Sequence, residues 1–462
     1  MVQFLRRHYP YQVPGSKSVR ISSQPTRQLP LLSISFIIND MENKVNNEVG
    51  IFLVIFFVTA YNRIYHMEQT QKIGREIMRF FHLSDLHLGK HLHHYNLKED
   101  QMHILKEIAA YARTLHPDAI VIAGDIYDKS VPSAEAVTMF DAFLTELSAI
   151  EPAIPILIIA GNHDSGERLE YAVEILGQHH IYIAGKPPVT QKQHPKKVTL
   201  EDEYGPVHFY LLPFLKPGYV KNVLPQEALE NYTQVVKCLL EREEPDYTQR
   251  NVLVSHQFYT GNGQQTQTCD SELVNVGGLD NVDISAVQKF DYVALGHLHG
   301  KQQVGLPHVR YCGTMLKYSV SEVSHEKSLT MVTLHAKGEP VQIENLPLHP
   351  LRDVQKKKGL LEDILKDGKS ADSQNYVSVT LTNEEELYKP REQLTSIYPF
   401  LLEVRVDNER TRRQIEDMGE IIEVRNPLEM YQDFYREVHG TDLGEEGVEI
   451  MRQILDEIKG GL

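Results

Sequence analysis

The chain is poor in cysteine, in long apolar runs and in positive charge. Its three cysteines, Cys238, Cys269 and Cys312, lie far apart and show no metal-ligand spacing. This argues against a disulfide framework and favours a reducing compartment, so we expect a cytoplasmic protein. The apolar run at residues 49–60 is shorter than the roughly 20 residues that a membrane span needs, and we expect no membrane partner.

Basic residues are also scarce, with 47 Lys and Arg against 63 Asp and Glu and a formal net charge of −16. Proteins that bind DNA without sequence preference usually carry a basic stripe. Composition therefore gives no support for nucleic-acid binding, and any attraction to phosphate must come from bound cations and local patches. The length of 462 residues predicts two or three domains.

The first 77 residues differ from the rest because they are net positive and rich in Ser and Gln. Met78 opens the first strand directly, and purine-rich codons that resemble a bacterial ribosome-binding site can encode residues 74–76. We therefore predict that translation starts at Met78 and that residues 1–77 are a non-native extension. The alternative is a genuine membrane-tethering or regulatory extension.

Five segments each lead from an apolar, strand-like stretch into residues that can bind a metal. Short runs rich in Val and Ile that end at Gly or a polar residue are typical of buried strands. In an open α/β sheet, ligands gather beyond the carboxyl ends of the strands. The candidate ligands at the five strand ends are Asp85, His87, Asp125, Asn162, His256, His297 and His299. Each has an ordinary structural explanation when taken singly, but together they predict a two-metal phosphoesterase.

The ligand types indicate which metals to expect. Asp85 and His87 are two residues apart on an extended segment, so their side chains leave the same face. The Asp125 carboxylate has two oxygens and can bridge two cations, and Asn162 offers a neutral oxygen. Mixed nitrogen and oxygen ligands suit Mn²⁺, Fe²⁺ or Zn²⁺ better than Mg²⁺, and we predict two divalent cations, with Mn²⁺ as first choice.

The motif series resembles that of the calcineurin-like metallophosphoesterases. It consists of Asp-x-His (85–87), Gly-Asp-x-x-Asp (124–128), Gly-Asn-His-Asp (161–164) and Gly-His-x-His (296–299). Within that superfamily, residues 84–90 and 311–319 are similar to the SbcD family, the nuclease subunits of bacterial SbcCD complexes. The resemblance covers residues 78–462. It implies a DNA double-strand exonuclease and single-strand or hairpin endonuclease for DNA end processing, repair and recombination. The implied partners are an SbcC-type ATPase and a second copy of the chain within a heterotetramer.

The resemblance also implies a role for each site residue. The first metal is assigned Asp85, His87, Asp125 and His299, and the second Asp125, Asn162, His256 and His297. His163 is not a ligand in this family but faces the scissile phosphate, where it steadies or protonates the leaving oxygen, and we expect Asp164 to orient its ring. Relatives of the family often carry His where Asp128 stands here.

The implied fold is of the α/β class. A two-sheet β-sandwich core flanked by helices (78–348) is followed by a small α/β cap domain (349–425) and C-terminal partner-binding helices (426–462). In the cap, the patterns predict a helix at 359–366, a strand at 376–381, a helix at 384–397 and a strand at 400–406. Basic residues of the cap either meet DNA phosphates or form an ordinary solvated surface.

The tail shows two helical apolar faces. The first consists of Leu428, Tyr431, Phe434, Tyr435 and Val438, and Gly440 is placed to end that helix. The second consists of Val448, Met451, Leu455 and Ile458. These faces either pack on the cap of the same chain or dock on the SbcC-type ATPase.

Two other functions are compatible with the same ligands. One is a two-metal phosphodiesterase or phosphatase on a non-DNA substrate, although such an enzyme has no use for a cap and paired tail helices. The other is a metal-stabilised scaffold that recruits the ATPase without cutting DNA, although such a scaffold has no need of His163. Gly368-Lys369-Ser370 lacks the upstream Gly of a phosphate-binding loop, so ATP dependence must come from a partner.

Overall fold

The computed structural model describes residues 77–261, 268–270, 272, 280–368, 371–412, 427–444 and 447–452. The predicted extension, apart from Ile77, lies outside the described residues. In chain order, the strands are β1 Met78–Leu83, β2 His91–Leu92, β3 Tyr95–Asn96, β4 Ala119–Ala123, β5 Ile156–Ile159, β6 Ile181–Ala184, β7 Lys196–Asp202, β8 Gly205–Leu212, β9 Arg250–Ser255, β10 Tyr259–Thr260, β11 Val282–Asp283, β12 Tyr292–Leu295, β13 Gln302–Val304, β14 Leu306–Tyr311, β15 Ser328–Leu334, β16 Gln342–Pro347, β17 Val354–Gly359, β18 Tyr376–Leu381 and β19 Leu401–Val406. The helices are α1 Lys98–Leu115, α2 Ala134–Ser148, α3 Gly166–Leu169, α4 Val173–Gly177, α5 Tyr232–Glu241, α6 Leu361–Asp367, α7 Pro390–Thr395 and α8 Pro427–His439.

Two six-stranded sheets form the core. Their strand orders are β16-β15-β1-β4-β5-β6 and β13-β14-β12-β9-β8-β7. The central strands β1, β4, β5 and β6 run parallel in the first sheet, and β8, β9, β12 and β14 do so in the second. All their carboxyl ends therefore reach one edge of their sheet, as the predicted site requires.

Alternate residues of the central strands lie in two different hydrophobic cores, so both faces of each strand are buried. This explains why the sequences of these strands are unbroken apolar runs. Phe80 of β1 and Tyr292 of β12 meet between the sheets, with ring centroids 5.7 Å apart. Phe81 points the other way and packs with α1 and α2 on the outer face of the first sheet. Helix α5 covers the second sheet. The predicted two-sheet α/β sandwich is confirmed.

A three-stranded parallel sheet, β17-β18-β19, with α6 and α7 forms a separate small core after the sandwich. The sequence patterns did not predict β17, because its exposed Lys356 and Lys358 leave the segment without the apolar run that marks a buried strand. The predicted helix at 384–397 is wrong in length. It covers only Pro390–Thr395, since Lys389 adopts a left-handed conformation (φ 44°) and Pro390 occupies the first turn. The division of the chain at residues 348/349 and 425/426 stays a prediction.

The C-terminal region begins with the predicted helix, now α8. Gly440 follows it with φ 70°, and its backbone N–H donates to the Arg436 carbonyl oxygen at 2.8 Å, so the predicted helix stop is confirmed. Residues 447–452 are helical as well, whereas Leu455 and Ile458 of the predicted second face lie outside the described residues. Among the described helices, none is both long and apolar enough to cross a membrane.

A buried ion pair of the second sheet, at the end opposite the predicted ligands, also contacts the first sheet through the backbone of Met78. Both Arg250 Nη atoms donate to the Asp202 carboxylate, one at 2.8 Å, and the Met78 backbone N–H donates to the same carboxylate at 2.7 Å. The two side chains are 3% and 0% exposed. Because solvent does not screen this pair, the loss of one partner leaves a buried charge uncompensated.

We expect Arg250→Met to lower the free energy of unfolding by about 3–5 kcal/mol, since Asp202 loses its cation in a buried setting. Urea denaturation followed by circular dichroism measures this. The matched control is Lys98→Met, which removes the solvent-exposed Lys98–Glu135 pair and should leave the denaturation midpoint nearly unchanged. Equal effects of the two variants would contradict the structural role of the Arg250–Asp202 pair.

Candidate metal centre

The loops that follow β1, β4, β5, β9 and β12 meet at one place, where the carboxyl edges of the two sheets converge. Backbone hydrogen bonds join them directly. The Asp85 N–H donates to the Gly124 carbonyl oxygen at 2.9 Å, and the His87 N–H donates to that of Asp125 at 3.0 Å. From the second sheet, the His297 N–H donates to the Asp85 carboxylate at 3.0 Å. The loops thus support one another, although they belong to different sheets.

The structure brings all seven predicted ligands together. One group, Asp85, His87 and His299, places its ligand atoms within 4.8 Å of one another, and a second group, Asp85, Asp125 and His256, does the same. The His256 Nε2 lies 3.3 Å from Asp125 Oδ2. Asn162 completes the cluster, since its Oδ1 lies 3.1 Å from His256 Nε2 and 3.0 Å from His297 Nδ1.

His87 provides a direct test of whether this cluster suits a cation. The residue is 1% exposed, and neither ring nitrogen has a hydrogen-bond partner among the described residues. Burial lowers the pKa of His87 well below its usual range, so the ring is neutral and offers a lone pair. Its Nε2 lies 3.8 Å from Asp125 Oδ2 and 4.0 Å from Asp85 Oδ1. An unpaired buried nitrogen is costly, and a divalent cation among these atoms satisfies all of them.

Outer hydrogen bonds orient two of the imidazole rings. The Nδ1 of His256 lies 2.7 Å from the Ala123 carbonyl oxygen and donates to it, which leaves Nε2 free to face Asp125 and Asn162. The Nδ1 of His299 lies 3.2 Å from Glu322 Oε1. Such partners fix the tautomer and increase the basicity of the ligating nitrogen.

Glu322 is a site residue that the sequence patterns missed. It is fully buried, and Lys327 Nζ donates to its Oε2 at 2.6 Å. Burial alone raises the pKa of Glu322, but the His299 hydrogen bond and the Lys327 charge outweigh burial and hold the pKa well below its usual range. The surrounding segment, Val320–Ser324, is a short 3₁₀ helix of mostly polar residues, and such a pattern carries no signal of burial.

Gln101 was also missed, because a polar residue on α1 looks like surface. Its side chain is fully buried beneath the loop of the first motif. Nε2 donates to the carbonyl oxygens of Leu86 at 3.3 Å and His87 at 2.8 Å, and Oε1 accepts from the Gly89 N–H at 3.1 Å. One side chain therefore satisfies three backbone groups of the loop that carries His87.

Several predicted ligands have strained backbones. Asp85, His87, Asp125 and His297 have φ values of 52°, 43°, 50° and 106°, in the region that non-glycine residues rarely adopt. The loop after β5 also packs closely against Asp125, since a Cβ added to Gly161 would lie 2.1 Å from Asp125 Oδ1. The surrounding hydrogen bonds must hold this geometry against its conformational cost.

His163 lies beside the cluster, as the sequence predicted. Its backbone N–H donates to Asp125 Oδ1 at 2.8 Å, and its Nδ1 lies 2.9 Å from the Asp128 carbonyl oxygen. Donation from Nδ1 leaves Nε2 as the nitrogen available to a substrate. The Asp128 carboxylate forms an ion pair with Lys90 at 2.7 Å.

The predicted contact between Asp164 and the His163 ring is wrong. The Asp164 carboxylate instead accepts backbone N–H groups of Gly161 at 2.9 Å, Tyr127 at 3.0 Å and Ile126 at 3.1 Å. Its lone pairs are thus used to join the loops after β4 and β5. Burial and the nearby Asp125 raise the pKa of Asp164 to about 6. Asp164 positions the loops, and the Asp128 carbonyl orients the ring.

Glu322→Gln is expected to weaken the binding of a divalent cation about 10- to 100-fold, because His299 loses its anionic partner. Titration with Mn²⁺ followed by electron paramagnetic resonance measures the affinity. The matched control is Glu326→Gln, an exposed carboxylate four residues away. If both variants bind Mn²⁺ like the wild type, Glu322 has no part in the site.

Comparisons with known proteins identify two families along the chain. The calcineurin-like phosphoesterase family matches residues 78–301, and a second family, described as the type 5 capsule protein repressor C-terminal domain (SbcD_C), matches residues 347–439. Over 334 residues the chain is 35% identical to the SbcD subunit of the SbcCD nuclease of Staphylococcus epidermidis, and the match covers 70% of this chain and 84% of that protein.

Solved structures match more distantly. GAP50, the anchor in the inner membrane complex of Plasmodium, shares 13% identity at a TM-score of 0.34, covering 60% of this chain and 90% of its own. A putative 5′-nucleotidase from Staphylococcus aureus shares 13% identity at a TM-score of 0.35, covering 60% and 55%. The sequence relationship carries the assignment: the chain belongs to the SbcD family of SbcCD nuclease subunits, with a calcineurin-like phosphoesterase domain and an SbcD_C domain.

Proposed function

We propose that the chain is a two-metal, Mn²⁺-dependent nuclease that cuts DNA ends and hairpins together with an SbcC-type ATPase. The observation that carries this proposal is the pair of ligand groups that share the Asp85 carboxylate, with the buried, unpaired His87 in the first group and His163 beside them. The family relationship supports the nuclease activity and the SbcC partner. A cytoplasmic location and the division into core, cap and tail belong to the same proposal.

We assign Asp85, His87, Asp125 and His299 to the first cation, and Asp125, Asn162, His256 and His297 to the second. The donor set combines imidazole nitrogens with carboxylate and amide oxygens, which favours Mn²⁺ over Mg²⁺. When bound, two such cations acidify a water molecule and neutralise the charge of a phosphodiester.

His163 is the group we assign to proton transfer. The Asp128 carbonyl holds its Nδ1, so Nε2 is the atom that exchanges a proton with the leaving oxygen. The backbone hydrogen bond from His163 to Asp125 holds the residue close to the proposed cations, and we assign its ring no ligand role. Asp164 supports this arrangement by holding the two loops together.

The basic residues of the cap contribute less to DNA binding than their number suggests. Lys358 and Arg412 both pair with the Asp407 carboxylate, at 2.6 and 2.7 Å, and Arg405 pairs with Glu403 at 3.0 Å. These carboxylates already neutralise part of the patch. The proposal that DNA is the substrate therefore rests on the family and the metal centre.

Helix α8 is the surface we assign to the ATPase. Met430, Phe434 and Val438 are four residues apart and 59%, 61% and 59% exposed, so they form one apolar stripe. An exposed apolar helix face is typical of binding into a partner's groove. The exposure favours this role over packing on the cap of the same chain. Dimerisation within a heterotetramer is a family expectation.

His163→Ala should retain both cations but lose most of its turnover, at least 100-fold, because the leaving oxygen loses its proton donor. The assay is cleavage of end-labelled duplex and hairpin DNA in Mn²⁺, with metal content determined by mass spectrometry. The metal-binding control is Asp125→Ala, which should lose both metal and activity, and the matched histidine control is the exposed His179→Ala. A His163→Ala protein without metal would contradict the non-ligand role.

A second prediction concerns the tail. The double variant Phe434→Glu and Val438→Glu should abolish co-purification with the SbcC partner, because charges replace the apolar stripe, while hydrolysis of a small phosphodiester stays unchanged. The matched control is Val137→Glu, which places a charge at a 44% exposed position of helix α2. Unimpaired complex formation by the double variant would place the docking surface elsewhere.

A further inference from the structure

A cavity of about 730 Å³ opens from one side of the metal centre, and we call it the side cavity. Asn162 and His297 line its inner end, so it begins at residues assigned to the second cation. A second, shallower depression, lined by His163 and residues 129–131, meets it at Asn162. A phosphodiester joins two nucleosides. When its phosphate lies at the proposed cations, one nucleoside therefore lies on the His163 side and the other lies in the side cavity.

Three aromatic side chains, Phe214, Tyr219 and Phe258, line the side cavity. Phe258 packs edge-on against His297, with ring centroids 6.1 Å apart, and Phe214 and Tyr219 line the cavity further out. Tyr219 lies on the short 3₁₀ helix Pro217–Val220 and is 50% exposed. Flat rings beside a phosphate site are the usual platform for unpaired bases, and such stacking tolerates any base.

One cation of the side cavity is available to a ligand. Lys186 lines the cavity but pairs with Glu170 at 3.3 Å. Lys216, three residues before Tyr219, is exposed and has no carboxylate within ion-pair distance among the residues that the structure describes. An ammonium group in this position suits a backbone phosphate.

The acidic residues of the cavity have other partners. The Ser165 hydroxyl donates to Glu167 at 3.4 Å, and Asp280 forms a hydrogen bond with Tyr232. Neither of these carboxylates forms an ion pair with Lys216 in the part of the chain that the structure describes, and the cavity presents three aromatic side chains together with this ammonium group.

We propose that the side cavity binds one unpaired nucleotide next to the scissile phosphate, with its base stacked on Tyr219 and its neighbouring phosphate at Lys216. This inference rests on the proposed nuclease function and names the form of DNA that the site accepts. The volume is that of a pocket for a small molecule and admits a nucleotide, not a double helix. His163 donates its proton to the leaving oxygen, so the bond between phosphorus and that oxygen breaks on the His163 side. The nucleotide in the side cavity is therefore the one that keeps the phosphate.

The test compares two single strands of equal length in Mn²⁺, using the full-length chain. One is an oligothymidylate, and the other is a chain of abasic residues with the same phosphates and no bases. Tyr219→Ala should lower kcat/KM about 5- to 100-fold on oligothymidylate only, since stacking is lost, and Tyr219→Phe should restore it. Lys216→Ala should lower kcat/KM on both strands, because both carry phosphates.

Matched controls are Tyr171→Ala, an 82% exposed tyrosine outside the cavity, and Lys221→Ala, an exposed lysine next to the same 3₁₀ helix. These two control variants should cut both strands, and hydrolyse methyl p-nitrophenyl phosphate, at the wild-type rate. If Tyr219→Ala leaves kcat/KM on oligothymidylate unchanged, or lowers kcat/KM on the abasic strand by the same factor, the base-stacking role is wrong. A wild type that hydrolyses the small diester but cuts no DNA overturns the nuclease function as well.

Discussion

Two carboxylates buried side by side are the constraint on which the rest of the structure depends. Asp85 and Asp125 are 0% and 2% exposed, and their ligand atoms belong to one cluster within 4.8 Å. Burial, which is the largest cause, and the nearby Asp125 carboxylate raise the pKa of Asp85. The raised pKa reflects the free-energy cost of holding two carboxylate charges away from water. Strained backbone angles, a glycine that leaves no room for a Cβ and the hydrogen bonds between loops all serve to keep these groups in place.

The cluster of candidate ligands was predictable because each of them follows a strand whose apolar pattern is local. β4 and β5 are unbroken apolar runs, and their polar endings stand out in the sequence. Glu322 and Gln101 were not predictable in this way, because their roles depend on contacts that tertiary structure creates. Gln101 reaches Tyr318, 217 residues away, and nothing in the pattern of α1 distinguishes it from a solvated residue. The role of Asp164 was missed for a similar reason, since its partners are backbone groups, which carry no sequence signal.

Helix α1 connects the cap to the metal centre through adjacent residues. Gln101 holds the loop of His87, and Asp100 accepts hydrogen bonds from Arg352 at 3.0 Å and from the Tyr376 hydroxyl at 2.9 Å. The Arg352 guanidinium also lies over the ring of Phe400, 4.6 Å from its centroid. The first turn of one helix therefore fixes both the cap strand β18 and the loop that carries a predicted ligand.

The hydrogen bond between His297 and Asp85 joins residues 212 positions apart, on loops from different sheets. No fragment of the chain that ends before β12 contains the complete set of candidate ligands, and contacts of such high sequence separation slow folding, because a long loop must close before they can form. Metal uptake thus requires a chain that extends past β12: a ribosome-bound or truncated intermediate without His297 and His299 lacks part of the candidate ligand set. A cation that binds only the native state also stabilises it by mass action, so cation binding and the completion of the fold around the site are thermodynamically linked.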